Sequence, residues 1–149
     1  MSKGCLLIVD DEPILLKRLR VLLEDIADEI LTAEDGVKAL ELLAERKVDC
    51  VLCDINMPKI NGVEVLKKLR TTNGDLPFIF YTGHGNQDLM LEAVKYGAYD
   101  FLNKPYLDGL EEVVHRGLLL GLGEDPLPLD DDERASDYRQ LLKRISEET

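Results

Sequence analysis

Basic residues are scarce in this chain: 18 Lys and Arg stand against 30 Asp and Glu, a formal net charge of −12 over 149 residues. A nucleic-acid surface leaves a basic patch as its footprint, so this balance argues against one. Apolar runs are short; none approaches the length of a membrane span, and the N-terminus lacks a signal-peptide pattern. The expectation is a cytoplasmic protein with no membrane partner. The string G-x-x-x-x-G-K is absent, which excludes a P-loop. Histidine is limited to His84 and His115 and cysteine to Cys5, Cys50 and Cys53. No Cys/His cluster arises from these, so zinc is unsupported. Cys50 and Cys53 have C-x-x-C spacing but fall in an apolar run that reads as a strand. Residues three apart then point to opposite faces, about 10 Å apart along the strand, too far for a disulfide. They read as small buried hydrophobes, and Cys5 reads likewise.

A hydrophobic content of 45% allows one core of ordinary size. Apolar strand candidates at 5–9, 29–32, 50–54, 78–82 and 99–102 alternate with amphipathic stretches of i, i+3, i+4, i+7 spacing. In the first helical stretch Pro13 occupies an early position where its missing N–H costs nothing, and Leu15, Leu16, Leu19, Leu22 and Leu23 form the stripe. The second begins at Asp35-Gly36 and carries Val37, Leu40 and Leu43. The third begins near Asn61-Gly62 and turns Val65, Leu66 and Leu69 inward. The fourth is capped by Asn86 and stops at Tyr96-Gly97, where glycine suits a left-handed residue. The fifth spans roughly 108–122. Strict β/α alternation implies an α/β fold with a parallel sheet covered by helices on both faces.

Polar clusters sit where the strands end. Asp10-Asp11 follows the first strand and Asp54 closes the third, ahead of Asn56, Met57-Pro58 and Gly62. Thr82-Gly83 follows the fourth, and Lys104-Pro105 follows the fifth. In an open α/β sheet that edge is where sites are built. Three carboxylates would repel one another without a cation, and magnesium prefers such hard oxygen ligands. A carboxylate, Asp54, can act as nucleophile toward phosphorus. The Lys104 ammonium and the Thr82 hydroxyl would then stabilise the charge of the incoming phosphoryl group. The set describes a magnesium-dependent phosphoryl acceptor with Asp54, Thr82 and Lys104 as its reactive residues.

These residues, in this order within a five-fold β/α repeat, resemble the response-regulator receiver domain of two-component signalling, over about residues 4–122. The resemblance implies a flavodoxin-like doubly wound sheet of order 2-1-3-4-5. It implies Mg²⁺ held by Asp10, Asp11, Asp54 and the backbone carbonyl of Asn56, and a cis Lys104-Pro105 bond. It also implies a sensor histidine kinase or histidine phosphotransfer protein as phosphoryl donor and a downstream protein as target. Thr82 and Phe101 correspond to switch residues, although a buried Phe on a strand is by default core. His84 and Asn56 correspond to positions that tune hydrolysis, and an ordinary loop histidine is the alternative for His84. Met90 is expected as an exposed apolar contact. Such a protein is a phosphoacceptor and not a turnover enzyme. The alternative function is a degenerate receiver serving only as a protein-interaction or dimerisation module.

Competing folds fare worse. A haloacid-dehalogenase-type phosphatase carries a second Asp two residues past its nucleophile, where this chain has Asn56. A flavodoxin would meet its FMN phosphate with Asp10-Asp11-Glu12, which repels it. Beyond the receiver, residues 123–132 read as an acidic proline-containing linker and 133–149 as a tail helix. Ala135, Tyr138, Leu142 and Ile145 make an a/d stripe there. That stripe either folds back on the apolar Leu119, Leu120 and Leu122 or pairs in a homodimer. From residue 123 onward nine acidic residues face four basic ones, and no helix-turn-helix fits. A single-domain regulator acting by protein contact is expected; the alternative is a fragment leading into a longer protein.

Overall fold

Five strands, β1 (Cys5–Val9), β2 (Glu29–Ala33), β3 (Cys50–Cys53), β4 (Phe78–Thr82) and β5 (Asp100–Asn103), pair in parallel in the order β2-β1-β3-β4-β5. The computed structural model describes residues 2–83 and 87–124, together with Lys143. The central strands β1, β3 and β4 are buried at every residue, as parallel strands covered on both faces must be. Their side chains divide by the strand period of two. Leu7, Val9, Val51, Cys53, Phe78 and Phe80 enter one core; Leu6, Ile8, Cys50, Leu52, Ile79 and Tyr81 enter the other. Cys50 and Cys53 therefore do face opposite ways. Burial pushes both thiols up, leaving them unreactive.

Helices α1 (Pro13–Leu23) and α5 (Leu110–Gly121) cover the second core, while α2 (Gly36–Glu45), α3 (Gly62–Arg70) and α4 (Gln87–Lys95) cover the first. The expected order and layering are thus present. The fifth helix starts two residues later and ends one earlier than its apolar spacing indicated, β2 runs one residue further, β3 ends one residue sooner, and β5 is shifted one residue along the chain. Pro13 begins α1, and Asp35 caps α2 by accepting from the Lys38 N–H. Asn61 and Glu64 form a reciprocal capping box on α3. Gly97 adopts φ 82° after α4. The Asn86 cap and the tail helix lie outside the described residues.

Two expectations for helix faces are corrected. Val37 is 42% exposed; Gly36 and Ala39 take the buried side of α2, with Leu40 and Leu43 half-buried. The cause is close approach, since a Cβ on Gly36 would lie 2.5 Å from Ile60. Met90 is not an exposed contact: at 6% exposure it packs in the core with Leu91, Ala93 and Val94.

The loop from β3 to α3 carries the only non-glycine residue with positive φ among the described residues, Lys59 at 70°. Its ammonium lies 3.4 Å from Asp35, tying this loop to the start of α2. A left-handed conformation costs an L-residue roughly 1–2 kcal/mol. Lys59→Gly is expected to melt close to the wild type, because relieved strain offsets the added chain entropy. Lys59→Val, β-branched in a disfavoured region, is expected to lose about 1–2 kcal/mol. Parallel thermal denaturation of the two variants checks this.

Candidate functional site

Strand ends bring the expected residues to one rim. The Asp10 N–H donates to Ala33 O at 3.1 Å and the Asp54 N–H to Val9 O at 3.0 Å, so both acids are fixed by backbone just past β1 and β3. The Lys104 N–H donates to Thr82 O at 2.9 Å, which joins the ends of β4 and β5. Asp10, Asp54 and Thr82 are almost wholly buried, at 2%, 6% and 1% exposure. Asp11, Glu12 and Asn56 stand exposed at the mouth. The Lys104-Pro105 bond is cis.

The Lys104 ammonium is the hub. It donates to Asp10 Oδ2 at 2.7 Å and Asp54 Oδ2 at 3.1 Å, and lies 3.8 Å from Glu12 Oε1. It also sits 5.9 Å from the centroid of the Tyr81 ring. Burial raises the Asp10 pKa, against the opposing hydrogen bonds from Lys104 and the Glu12 N–H. For Lys104 burial acts downward but is outweighed by Asp10 and Asp54, so the ammonium is held charged. One cation thus serves three carboxylates, which leaves the rim short of positive charge.

Two buried side-chain atoms have no hydrogen-bond partner among the described residues: Asp54 Oδ1 and Thr82 Oγ1. Buried polar atoms are normally satisfied, so a pair of orphans at one strand edge marks a place prepared for something else. Beside them the carboxylates of Asp10, Asp11 and Glu12 offer oxygens all within 4.8 Å of one another. A hard divalent cation suits this donor set. Glu12 was missed as a candidate ligand. The acidic triplet was visible in the sequence, but nothing there said that the loop folds the third carboxylate back beside the first, with the Glu12 N–H on Asp10 Oδ1 at 3.0 Å.

The loop carrying Asp54 is held tightly. The Cys53 thiol donates to the Asp54 carbonyl at 3.1 Å, and the Gly62 N–H donates to Ile55 O at 2.8 Å. Phe101 is 1% exposed and stacks on Phe80, with ring centroids 5.4 Å apart and planes at 15°. In this structure it is part of the core. His84 lies outside the described residues, and His115 is exposed on α5, away from any metal-binding cluster among them.

Residues 6–115 match the family profile of the response regulator receiver domain. Over 107 residues the chain is 34% identical to the transcriptional regulatory protein FixJ of Bradyrhizobium diazoefficiens, covering 72% of this chain and 52% of FixJ. It is 38% identical over 113 residues to the C4-dicarboxylate transport transcriptional regulatory protein DctD of Pseudomonas aeruginosa, covering 75% of this chain and 24% of DctD. The chain therefore spans about half the length of FixJ and about a quarter of DctD. Among solved structures it resembles the signal receiver domain of an HD domain-containing protein from Pseudomonas fluorescens Pf-5. The TM-score is 0.76 and the identity 28%, over 83% of this chain and 92% of that one. FixJ and DctD are named as transcriptional regulators, so the expectation of no nucleic-acid partner gains no support from them. Among the described residues no helix is long and apolar enough to cross a membrane.

Proposed function

Because this chain belongs to the response regulator receiver domains of two-component systems, we propose that Asp54 accepts a phosphoryl group in a magnesium-dependent reaction. The observation that carries this reading is the orphaned Asp54 Oδ1, buried beside an equally orphaned Thr82 hydroxyl, with Lys104 on the carboxylate's other oxygen. Asp54 Oδ1 attacks phosphorus while the bond from phosphorus to the donor breaks, to a histidine nitrogen in a sensor kinase or phosphotransfer protein, or to oxygen in acetyl phosphate. Thr82 donates its free hydroxyl to one phosphoryl oxygen, and Lys104 moves its ammonium from Asp54 to a second. Asp10, Asp11 and Glu12, with the Asn56 carbonyl, would hold Mg²⁺, which supplies divalent charge to the phosphoryl group when bound. Positioning and charge account for the catalysis of such a transfer.

The carboxylate is consumed in each event, so the protein acts as an acceptor that is reset by hydrolysis, and not as a turnover enzyme on an external substrate. When Thr82 moves toward the phosphoryl group it leaves space at the end of β4. Phe101, stacked behind it on Phe80, is the side chain placed to respond, which alters the surface of α4, β5 and α5 presented to a downstream target. A groove of about 270 Å³ between α1 and the loop after β5 opens beside Lys104, lined by Ile14, Leu15, Arg18 and Leu107. Ile14 is 70% exposed there, an apolar landing place for a donor protein next to the acceptor.

Two outcomes test the proposal. Intact mass after incubation with acetyl phosphate is expected to rise by one phosphoryl group with Mg²⁺ present and not without it; no gain under either condition contradicts the reading. Mg²⁺ is also expected to raise the melting temperature by mass action, by about 2.7 kcal/mol of added stability at 100 times its dissociation constant. Asp11→Ala should flatten that titration, and an equal rise in the variant would place the ion elsewhere, as at Asp130-Asp131-Asp132.

A further inference from the structure

Tyr81 precedes Thr82 on β4 and is 2% exposed, yet it stands at the very end of the strand, beside the acidic rim. Register explains what it meets there. Tyr81 lies opposite Leu102 and Thr82 opposite Asn103, and the Lys104 N–H on Thr82 O carries the ladder one residue further. Lys104 is two residues past Leu102, so by the strand period of two it leaves the sheet on the face that holds Tyr81. Its ammonium comes to rest over the Tyr81 ring, 5.9 Å from the centroid, inside the range of about 6 Å over which an aromatic face attracts a cation.

The ammonium has somewhere else to go. It rides on a flexible four-carbon stem, and three carboxylates compete for it. Asp10 and Asp54 are buried, whereas the Glu12 side chain is 66% exposed with Oε1 only 3.8 Å away. A swing toward Glu12 would take the ammonium off Asp54 and into the groove of about 270 Å³ beside α1, which Glu12, Leu15, Leu19 and Tyr81 line together with Lys104. Water solvates an ammonium well, so holding it over the buried acids requires a wall on the groove side. The Tyr81 ring supplies that wall. Its negative face also attracts the cation without occupying a hydrogen-bond acceptor, which leaves all three N–H donors for oxygens.

Given the reading of Asp54 as phosphoacceptor, we propose that Tyr81 is a positioning residue for the transfer: its ring confines the Lys104 ammonium to the rim and keeps it out of the groove beside α1. A partner felt equally before and during the reaction would not speed it. Confinement does, because it removes positions from which the ammonium cannot reach a phosphoryl oxygen.

Three forms of the full chain test this: wild type, Tyr81→Phe, which keeps the ring, and Tyr81→Leu, which loses it. Tyr81→Met takes the place of the leucine variant if that one melts below the assay temperature. With acetyl phosphate and saturating Mg²⁺, the initial rate of phosphorylation is expected to agree within about twofold between wild type and Tyr81→Phe, and to fall roughly 10-fold in Tyr81→Leu. The Mg²⁺ concentration giving half the maximal rate should stay the same in all three. An unchanged rate in Tyr81→Leu, or an equal fall in Tyr81→Phe, would overturn the proposal. Crystal structures of the same forms without a phosphoryl donor read the position directly. Lys104 Nζ should keep both Asp10 and Asp54 in wild type and Tyr81→Phe, and turn toward Glu12 in Tyr81→Leu; an ammonium still bridging both acids in Tyr81→Leu would also overturn it. If the wild type takes up no phosphoryl group at all, the assignment of Asp54 is what fails, and the place of Lys104 in Tyr81→Leu alone decides whether the ring confines it.

Discussion

Lys104→Met is expected to lose about 3 kcal/mol of stability at pH 7–8 without magnesium and to become nearly inert toward acetyl phosphate. The ammonium bridges Asp10 and Asp54 at 2.7 and 3.1 Å, and both acids are buried. Removing one side of such an arrangement strands charge in a poorly solvated place, and the loss exceeds whatever the pair contributed when intact. The sign of the pH dependence follows. Burial already raises the Asp10 pKa in the native protein, and without Lys104 only the Glu12 N–H still opposes it. A carboxylate whose folded pKa lies above its unfolded value contributes fully below the unfolded value and loses that contribution as pH rises through the folded one. The variant should therefore recover stability on acidification toward pH 4, and on adding Mg²⁺. Melting curves across pH, with and without the ion, check both.

Gly62→Ala is expected to lower the melting temperature by about 5–10 °C and to slow phosphorylation by about 100-fold. A Cβ at this position would lie 2.1 Å from Asp54 O and 3.0 Å from Phe80 Cε1. The first contact is with a backbone carbonyl oxygen, with no flexible side chain to yield. Either α3 withdraws or the Asp54 peptide turns, and overpacking of this kind costs about 1–3 kcal/mol. Turning that peptide also displaces the nucleophile and the Cys53–Asp54 hydrogen bond. Gly74→Ala is the control, since its Cβ would meet nothing within 4 Å. Equal effects in the two variants would refute the steric argument.

What the sequence carried and what it did not divide along physical lines. β1, β3 and β4 stood out because parallel strands covered on both faces need unbroken apolar runs, and their ends placed Asp10, Asp54 and Thr82 correctly. Caps at Asp35 and Asn61 were readable because capping needs specific side chains at specific offsets. The order β2-β1-β3-β4-β5 came only from family resemblance, since β/α alternation says nothing about which strands are neighbours. The Val37 and Met90 errors arose where helix periodicity permits several faces. A close approach at Gly36 and the packing of α4 on the sheet decided between them. Glu12 escaped because loop residues follow no period. The Lys104 bridge from Asp10 to Asp54 needed coordinates, being made across 94 and 50 residues of chain. The tail helix, the Asn86 cap and His84 fall outside the described residues.

The central claim is that Asp54 is the phosphoacceptor, and residue-level mass spectrometry after treatment with Mg²⁺ and acetyl phosphate tests it most directly. The account predicts a single acid-stable, base-labile acyl phosphate on the peptide carrying Asp54, absent from Asp54→Asn. Phosphorylation that persists in Asp54→Asn at wild-type extent, on Asp10, Asp11 or any other residue, would contradict it.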